Sequence, residues 1–149
     1  MREEARHSAV AALIRLAGSS DFRDRADAGR ALASLAEMPA ARQMLLNLVL
    51  DASDTFVTRA TTEALLRRHD GVGLAVVASA LATANPNHAD WIHTAVLDVF
   101  LVFADERDAA VRECEELARN DSSQVRQGVG RLLEMLVKIN PILHPTQDG

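Results

Sequence analysis

The sequence predicts an all-α protein of eight helices, and three observations support this prediction. Alanine and leucine dominate the 149 residues, whereas aromatic residues make up 3% and tyrosine is absent, a composition that favours helices over a β-sandwich or barrel. Hydrophobic residues amount to 48% and charged residues to 25%, which are the proportions of a folded globular domain. Short polar breaks divide the chain into eight stretches with helical periodicity.

The first four predicted helices cover residues 3–17, 21–37, 39–51 and 54–69. The first stops at Gly18, where a Gly-Ser-Ser sequence breaks the helical pattern. The second and fourth begin at Asp21 and Asp54, because an aspartate carboxylate can accept a hydrogen bond from a free N–H group of the first turn. The third begins at Pro39, since proline is favoured at the first helical position.

The last four predicted helices cover residues 72–84, 89–104, 106–119 and 122–140. A turn at Asp70 precedes the fifth helix, a break at Pro86 precedes the sixth, and Ser122 provides a cap for the eighth. Because the connections are short, each helix is expected to lie antiparallel to the one before it. Residues 1–140 are therefore predicted to form a single domain, followed by a C-terminal tail at 141–149.

An internal repeat defines the predicted architecture. The segment that begins at Asp21 superposes on the segment that begins at Asp54, and the latter superposes on the segment that begins at Ser122. Trp91 lies near the missing midpoint, at the start of the sixth helix. Helices two, four, six and eight are therefore predicted to be equivalent, with helices three, five and seven as their partners. Such two-helix units cannot bury their apolar faces alone and must stack on their neighbours.

One run of residues resembles the first helix of a HEAT or armadillo-like repeat: Asp54-x-x-Val57-x-Arg59-Ala60-x-x-Glu63-Ala64-Leu65. The pattern recurs at 21–32 and in part at 122–133, so that with the partner helices the resemblance covers nearly the whole chain. Asp24 replaces the valine of the pattern, and the unit at 91–100 lacks the Asp and Arg signature. The resemblance implies an α-solenoid, a right-handed stack of about three and a half two-helix repeats with the first helix as its N-terminal cap.

The resemblance also implies roles for individual residues. Asp21 and Asp54 would cap the first helices of their units, and Arg25 and Arg59 would tie neighbouring units together. The second helices would line a concave groove, which is where proteins of this family usually bind their partners. Helical periodicity places ten residues on the groove side of these helices: Gln43, Leu46, Asn47, Leu50, Val76, Ser79, Thr83, Arg112, Glu113 and Glu116.

The charge of the chain narrows the classes of partner. The formal net charge is −5 and the isoelectric point is near 5.5, which argues against a protein that binds the phosphate backbone of nucleic acid. No apolar stretch is long enough to span a bilayer and the N-terminus lacks a signal-peptide core, so a cytoplasmic protein without membrane association is expected. Because Glu113 and Glu116 make one end of the predicted groove acidic, a basic protein is the expected partner.

Neither a metal site, a cofactor site nor a catalytic set is predicted. His88 and His93 are five residues apart and point to different faces of a helix. Asp90 and His93 share a face, but two ligands do not make a metal site. The lone Cys114 lies among apolar residues at helical spacing, so it is interpreted as a small core side chain.

An enzyme is the alternative to a binding protein. The adjacent Asp90 and Trp91 superficially resemble the acid and aromatic residues that DNA glycosylases apply to a flipped base, so a glycosylase-like or lyase-like protein with the groove as its pocket stays open. Trp91 is nevertheless interpreted as a buried structural residue, and Gly128 and Gly130 as places of close helix packing. The favoured function is non-catalytic binding of another protein through the groove, as an adaptor or a neutralising immunity protein.

Overall fold

The computed structural model describes residues 2–145, and this part of the chain contains eight α-helices and no strand longer than an isolated bridge. The helices are α1 (Glu3–Ala17), α2 (Phe22–Ala33), α3 (Pro39–Val49), α4 (Thr55–Leu66), α5 (Gly71–Thr83), α6 (Pro86–Phe100), α7 (Ala104–Leu117) and α8 (Ser123–Val137). The predicted all-α class with eight helices is confirmed. Met1 and the end of the predicted tail, residues 146–149, lie outside the described residues.

Several predicted helices have different ends in the structure, by up to four residues, and the fourth, sixth and eighth end at Leu66, Phe100 and Val137 instead of residues 69, 104 and 140. The second helix ends at Ala33 instead of residue 37, because the chain tightens into turns after it and becomes extended at Met38, the conformation preferred before proline. The sixth helix begins at Pro86, three residues earlier than predicted. Asn85 is its N-cap, and its side chain accepts a hydrogen bond from the N–H of His88 at 2.7 Å.

The caps that the sequence predicts are formed. The carboxylate of Asp21 accepts a hydrogen bond from the N–H of Arg23 at 2.9 Å, and that of Asp54 accepts one from the N–H of Phe56 at 2.8 Å. Each side chain satisfies an N–H group that has no partner within its own helix. The starts of α2 and α4 are thus fixed by local sequence.

The first seven helices pack in two rows. One row contains α2, α4 and α6 side by side, and the other contains α1, α3, α5 and α7. Arg25 and Arg59 connect successive members of the first row: Arg25 Nε lies 3.0 Å from Asp51 Oδ1 in the α3–α4 connection, and an Arg59 guanidinium nitrogen lies 2.6 Å from Asp98 Oδ2 on α6. This packing is compatible with a helical repeat.

The eighth helix departs from this order. It packs mainly on α5 and only weakly on α6, so it does not take the place that its predicted equivalence to α2, α4 and α6 requires. Gly128 explains the difference, since a Cβ atom at this position would lie 1.6 Å from the carbonyl oxygen of Ala78. The backbones of α5 and α8 are therefore in direct contact. Gln124 Nε2 adds a hydrogen bond to the Ser79 carbonyl at 2.9 Å.

The side chains of α6 correct one prediction about the core. Phe100 is 1% exposed, whereas Trp91 is only half-buried, so the predicted burial of Trp91 is wrong. Trp91 lies seven residues before Asp98, and two helical turns bring these residues to the same side of the helix. That side borders α4, where Asp98 meets Arg59, and it is not the face that enters the core.

The described part of the tail is attached to the α6–α7 connection. The N–H of Ile142 donates to the carbonyl of Leu101 at 2.9 Å, and the N–H of Leu143 donates to the carbonyl of Val102 at 2.7 Å. The N–H of Ala104 donates in turn to the carbonyl of Leu143 at 2.9 Å. These bonds form a short parallel bridge, so the chain leaves α8 and returns to the start of α7.

Candidate functional site

A cleft of about 380 Å³ lies between α3, α5 and the beginning of α8. We call it the α3–α5–α8 cleft, and its lining consists of Pro39, Arg42, Gln43, Leu46, Ala75, Val76, Ser79, Asn120, Ser122 and Val125. Two walls come from neighbouring helices of one row, and the first turn of α8 closes the end. The cleft therefore exists because α8 lies on α5 and not on α6.

The floor of this cleft is apolar. Val76 is 5% exposed and Val125 is 7% exposed, and Leu46 beside them is half-buried. Ala75 contributes a short side chain that keeps the space above the floor open. An apolar side chain placed on this floor would be removed from water, which is worth about 25 cal/mol for each Å² of apolar surface buried.

The rim of the cleft is polar. Asn120 Oδ1 accepts a hydrogen bond from the N–H of Ser122 at 2.9 Å, and the hydroxyl of Ser122 accepts one from the N–H of Val125 at 3.3 Å. These two side chains are thus occupied in forming the start of α8. Gln43 and Arg42 are exposed, and Arg42 supplies the charge of the lining.

Four of the ten residues predicted for the groove meet in this cleft. Gln43 and Leu46 lie on α3, and Val76 and Ser79 lie opposite them on α5. Helices α3 and α5 are neighbours in the structure, which brings these four residues to the same cleft. Six predicted residues do not line the cleft: Asn47, Leu50, Thr83, Arg112, Glu113 and Glu116.

The acidic residues of α7 lie elsewhere. Glu113 lines a narrow depression of about 20 Å³ together with His69, Phe100 and Glu106, and Glu116 is exposed with its carboxylate 3.9 Å from Arg119. Helix α7 packs beside α5, but none of its predicted residues lines the cleft, whose end is formed by residues at the start of α8.

Sequence reasoning missed the contribution of α8 to the cleft, namely Asn120, Ser122 and Val125. One signal could have found it. Gly128 interrupts a helix with a residue of low helical propensity, which is tolerated where another backbone approaches closely. The predicted close packing is confirmed at Gly128 but wrong at Gly130, where nothing lies within 4 Å of an added Cβ. The sequence does not identify α5 as the neighbour of Gly128.

A second cleft, of about 270 Å³, separates α6 from α8. This cleft is present because α8 packs on α5 and makes few contacts with α6. It is lined by Ala89, Asp90, His93, Arg131, Glu134, Met135 and Lys138. Asp90 faces this cleft, whereas Trp91 belongs to neither of the two clefts. The acid and the aromatic residue on which the glycosylase-like alternative depends are therefore not brought together.

Two other candidate catalytic or metal-binding residues, His88 and Cys114, contribute to packing and hydrogen bonding within the fold. His88 Nε2 lies 2.8 Å from the carbonyl oxygen of Asp51, so its ring donates a hydrogen bond to the α3–α4 connection. Cys114 is fully buried, and this burial raises the pKa of its thiol to about 12. A thiol with this pKa is protonated at neutral pH and is a poor nucleophile. Within residues 2–145, no three His, Cys, Asp or Glu side chains are grouped as a metal site would require.

No helix in the described part of the chain has both the length and the apolar character needed to cross a bilayer. The longest helices, α1, α6 and α8, each have 15 residues, fewer than the roughly 20 that a transmembrane helix needs.

Comparisons with known proteins give little further information. No protein-family model matches the chain, and no curated protein matches it. Among solved structures it is similar to an engineered protein whose crystal structure comes from the Northeast Structural Genomics Consortium, with 22% sequence identity and a TM-score of 0.37. The match covers 86% of this chain and 62% of the engineered protein, so this chain spans less than two thirds of that protein. At these values the similarity carries no argument, and the fold described above rests on the helix packing of this chain itself.

Proposed function

We propose that this protein binds another protein through the α3–α5–α8 cleft and catalyses no reaction there. The observation that carries the proposal is the combination of an apolar floor, formed by Leu46, Val76 and Val125, with a polar rim that includes Gln43 and Arg42. Protein interfaces have the same anatomy, with an apolar centre and a polar, solvent-accessible rim. The cleft has room for a protruding side chain of a partner, which would act as the anchor of the interface.

The chemistry of the lining favours binding over catalysis. A catalytic site needs a nucleophile or an acid and base within hydrogen-bond reach of a substrate. Among the lining residues, Arg42 is charged and permanently protonated, and the hydroxyl of Ser122 is engaged as a helix cap. The role that fits such a site is that of an adaptor or a neutralising protein.

A small apolar ligand is the second candidate occupant, and the volume of the cleft is the observation that favours it. About 380 Å³ lies within the range of small-molecule pockets, which is roughly 300–1,000 Å³. This alternative belongs to the same site and differs from the first in the size of the occupant.

Two substitutions on α5 test the proposal. Ser79→Arg places a long charged side chain in the cleft, whereas Thr83→Arg adds the same side chain at an exposed position one turn further along, outside the lining. A partner captured from the native host with the wild-type protein would be measured against both variants by isothermal titration calorimetry. We expect Ser79→Arg to weaken binding at least about tenfold, since it blocks an interface anchor, and Thr83→Arg to bind like the wild type.

A third variant, Gln43→Trp, fills the cleft from α3 at an exposed position and leaves the core unchanged. Partner binding that is equal in the wild type, Ser79→Arg and Gln43→Trp would contradict the proposal. If instead no protein is captured and a small molecule raises the melting temperature of the wild type but not of Ser79→Arg, the cleft is a ligand pocket.

A further inference from the structure

A strip of exposed apolar side chains covers the α6–α7 connection and the tail bound to it. Its members are Leu101, Val102, Phe103, Ile142 and Leu143, with exposed fractions between 38% and 66%. The backbone hydrogen bonds that join the tail to the connection hold these two segments side by side, and we call the five residues the C-terminal strip. Clusters of exposed apolar side chains mark interaction sites.

The strip runs directly into the most acidic element of the protein. Helix α7 begins at Ala104 and carries six acidic and two basic residues, a net charge of −4 out of −5 for the whole chain. Arg107 does not offset the exposed face, because its guanidinium donates to the carbonyl of Ile139 at 2.6 Å and pairs with Asp108 at 2.8 Å. The exposed acidic residues of α7 are Asp105, Glu113, Glu115 and Glu116.

We propose that the C-terminal strip and α7 together form a docking surface for a basic amphipathic segment of a partner protein. Apolar side chains of that segment would cover the strip, and its lysine or arginine residues would face the carboxylates of α7. The charge distribution selects this occupant. A second copy of the chain, related by the two-fold symmetry of most dimers, would bring two helices of net charge −4 together. An anionic membrane surface would repel the same helix.

This surface shares no lining residue with the α3–α5–α8 cleft, so the inference does not depend on the function proposed for the cleft. It assigns the expected basic partner to α7 and the C-terminal strip, and not to the α3–α5–α8 cleft. Attraction between the segment and α7 would act at a distance and accelerate the encounter, and salt would reduce it.

The test uses a fluorescein-labelled amphipathic peptide made of leucine and lysine, with a leucine–glutamate peptide of the same pattern as its counterpart. Binding to the full chain is followed by fluorescence anisotropy at low and at physiological salt. We expect the lysine peptide to bind, with affinity that falls about tenfold as salt rises, and the glutamate peptide not to bind.

Matched variants separate the strip from the rest of the surface. Phe103→Ser combined with Leu143→Ser should weaken binding of the lysine peptide at least about tenfold. Phe22→Ser is the control, because Phe22 is 39% exposed on α2, away from the strip. It should bind the peptide like the wild type.

The charges are tested in the same way. Asp105→Arg combined with Glu115→Arg should reduce the association rate and remove most of the salt dependence. Glu3→Arg combined with Glu4→Arg changes the net charge of the protein by the same amount at exposed positions of α1, and it should leave the rate close to that of the wild type.

Three results would overturn the inference. The first is equal peptide binding by all variants, and the second is binding of vesicles that contain phosphatidylserine. The third is self-association, seen in analytical ultracentrifugation and lost in the Phe103→Ser, Leu143→Ser variant. Since Ser79→Arg leaves the strip intact, it should bind the lysine peptide normally, so a failure of the cleft proposal can be distinguished from a failure of this one.

Discussion

Helix α8 begins in the same way as α2, α4 and α6, but it packs against different neighbours. Each has a side-chain cap at its first turn, from Asp21, Asp54, Asn85 and Ser122 in turn. The first three lie side by side, whereas α8 lies on α5. An N-cap residue determines where a helix begins, but it does not determine which helix packs against it.

The arginines of the two regions show the same difference. Arg25 reaches Asp51 beyond α3, and Arg59 reaches Asp98 on α6. Near the start of α8, Arg126 donates to the carbonyls of Asn120 and Asp121, at 2.6 and 2.9 Å, and so it closes its own loop. Arg25 and Arg59 therefore join different helices, whereas Arg126 has only a local role; the arginine of α8 that reaches another helix is Arg131, which donates to the Leu81 carbonyl on α5.

The close contacts of Gly29 on α2 and Gly128 on α8 differ in kind. A Cβ atom added to Gly29 of α2 would lie 2.2 Å from the hydroxyl oxygen of Thr61 on α4, whereas one added to Gly128 of α8 would lie 1.6 Å from the carbonyl oxygen of Ala78 on α5. A side chain can rotate away, but the backbone of a buried helix cannot. The close approach of α8 to α5 thus includes a backbone contact that requires glycine at position 128.

The largest effect is therefore expected from Gly128→Ala. The added methyl group must push α8 away from α5, and overpacking of a core costs about 1–3 kcal/mol and sometimes more. We expect a loss of about 3 kcal/mol in the free energy of unfolding, measured by urea denaturation. Gly130→Ala is the control, because nothing lies within 4 Å of its added Cβ, and it should gain up to about 1 kcal/mol from helix propensity. Equal stability of the two variants would contradict the close backbone contact between α8 and α5 at Gly128.

The limits of prediction from sequence follow from this contact. Asp21, Pro39, Asp54 and Ser122 act within one turn of the chain, so helix number and most helix starts could be predicted. The contact between Gly128 and Ala78 joins residues 50 positions apart, and no local pattern encodes it.

The α3–α5–α8 cleft likewise has one part that the sequence could predict and one part that it could not. Its α3 and α5 walls contain Gln43, Leu46, Val76 and Ser79, four residues that helical periodicity also predicts for a binding groove. Its α8 end depends on the contact at Gly128 and was missed. Periodicity also could not show that the apolar face around Trp91 is wider than the face that the neighbouring helices cover.

Trp91→Ala tests how well the side of α6 that borders α4 is covered. Truncation of a fully buried tryptophan costs about 3–5 kcal/mol, but Trp91 is half-buried, so we expect a loss of about 2 kcal/mol in urea denaturation. His93→Ala, on the side of α6 that faces the cleft to α8, should change stability by less than about 0.5 kcal/mol. A cost as large as that of a core residue would mean that α6 is covered on the Trp91 side as well.

The variants Arg25→Met and Arg126→Met compare an arginine that bonds a distant aspartate with an arginine that bonds its own loop. The side chains of Arg25 and Asp51 are 12% and 10% exposed, and two guanidinium nitrogens bond the two carboxylate oxygens at 3.0 and 3.2 Å. Losing hydrogen bonds between charged groups costs about 1.5 kcal/mol or more. Arg126→Met removes an exposed side chain and should cost less than about 0.5 kcal/mol. Equal melting temperatures of the two variants, measured by differential scanning calorimetry, would show that the bridge between units adds nothing.

The smallest expected effect concerns pH and the carboxylate of Glu37, which lies between α2 and α3. Arg68, beyond α4, donates hydrogen bonds to this carboxylate and to the Ala33 carbonyl, so it ties the end of α2 to the end of α4. The hydrogen bond from Arg68 is the main reason that the pKa of Glu37 lies below its ordinary value of 4.5. Because folding favours the charged form, the stabilisation is complete above the unfolded-state pKa and is lost as the pH falls through the folded-state pKa.

Glu37→Gln should therefore be less stable than the wild type at neutral pH, and this difference should vanish near pH 3 or below. The side chain of Glu37 is 48% exposed, and screening by solvent limits the difference to about 0.5 kcal/mol. Glu134→Gln on α8 is the control, since Glu134 is exposed, and this substitution should change stability at neutral pH by less than the Glu37→Gln substitution does. Urea denaturation at several pH values measures both. If the Glu37 difference persisted in acid, its origin would be packing, and the ionic connection between units would be confined to Arg25 and Arg59.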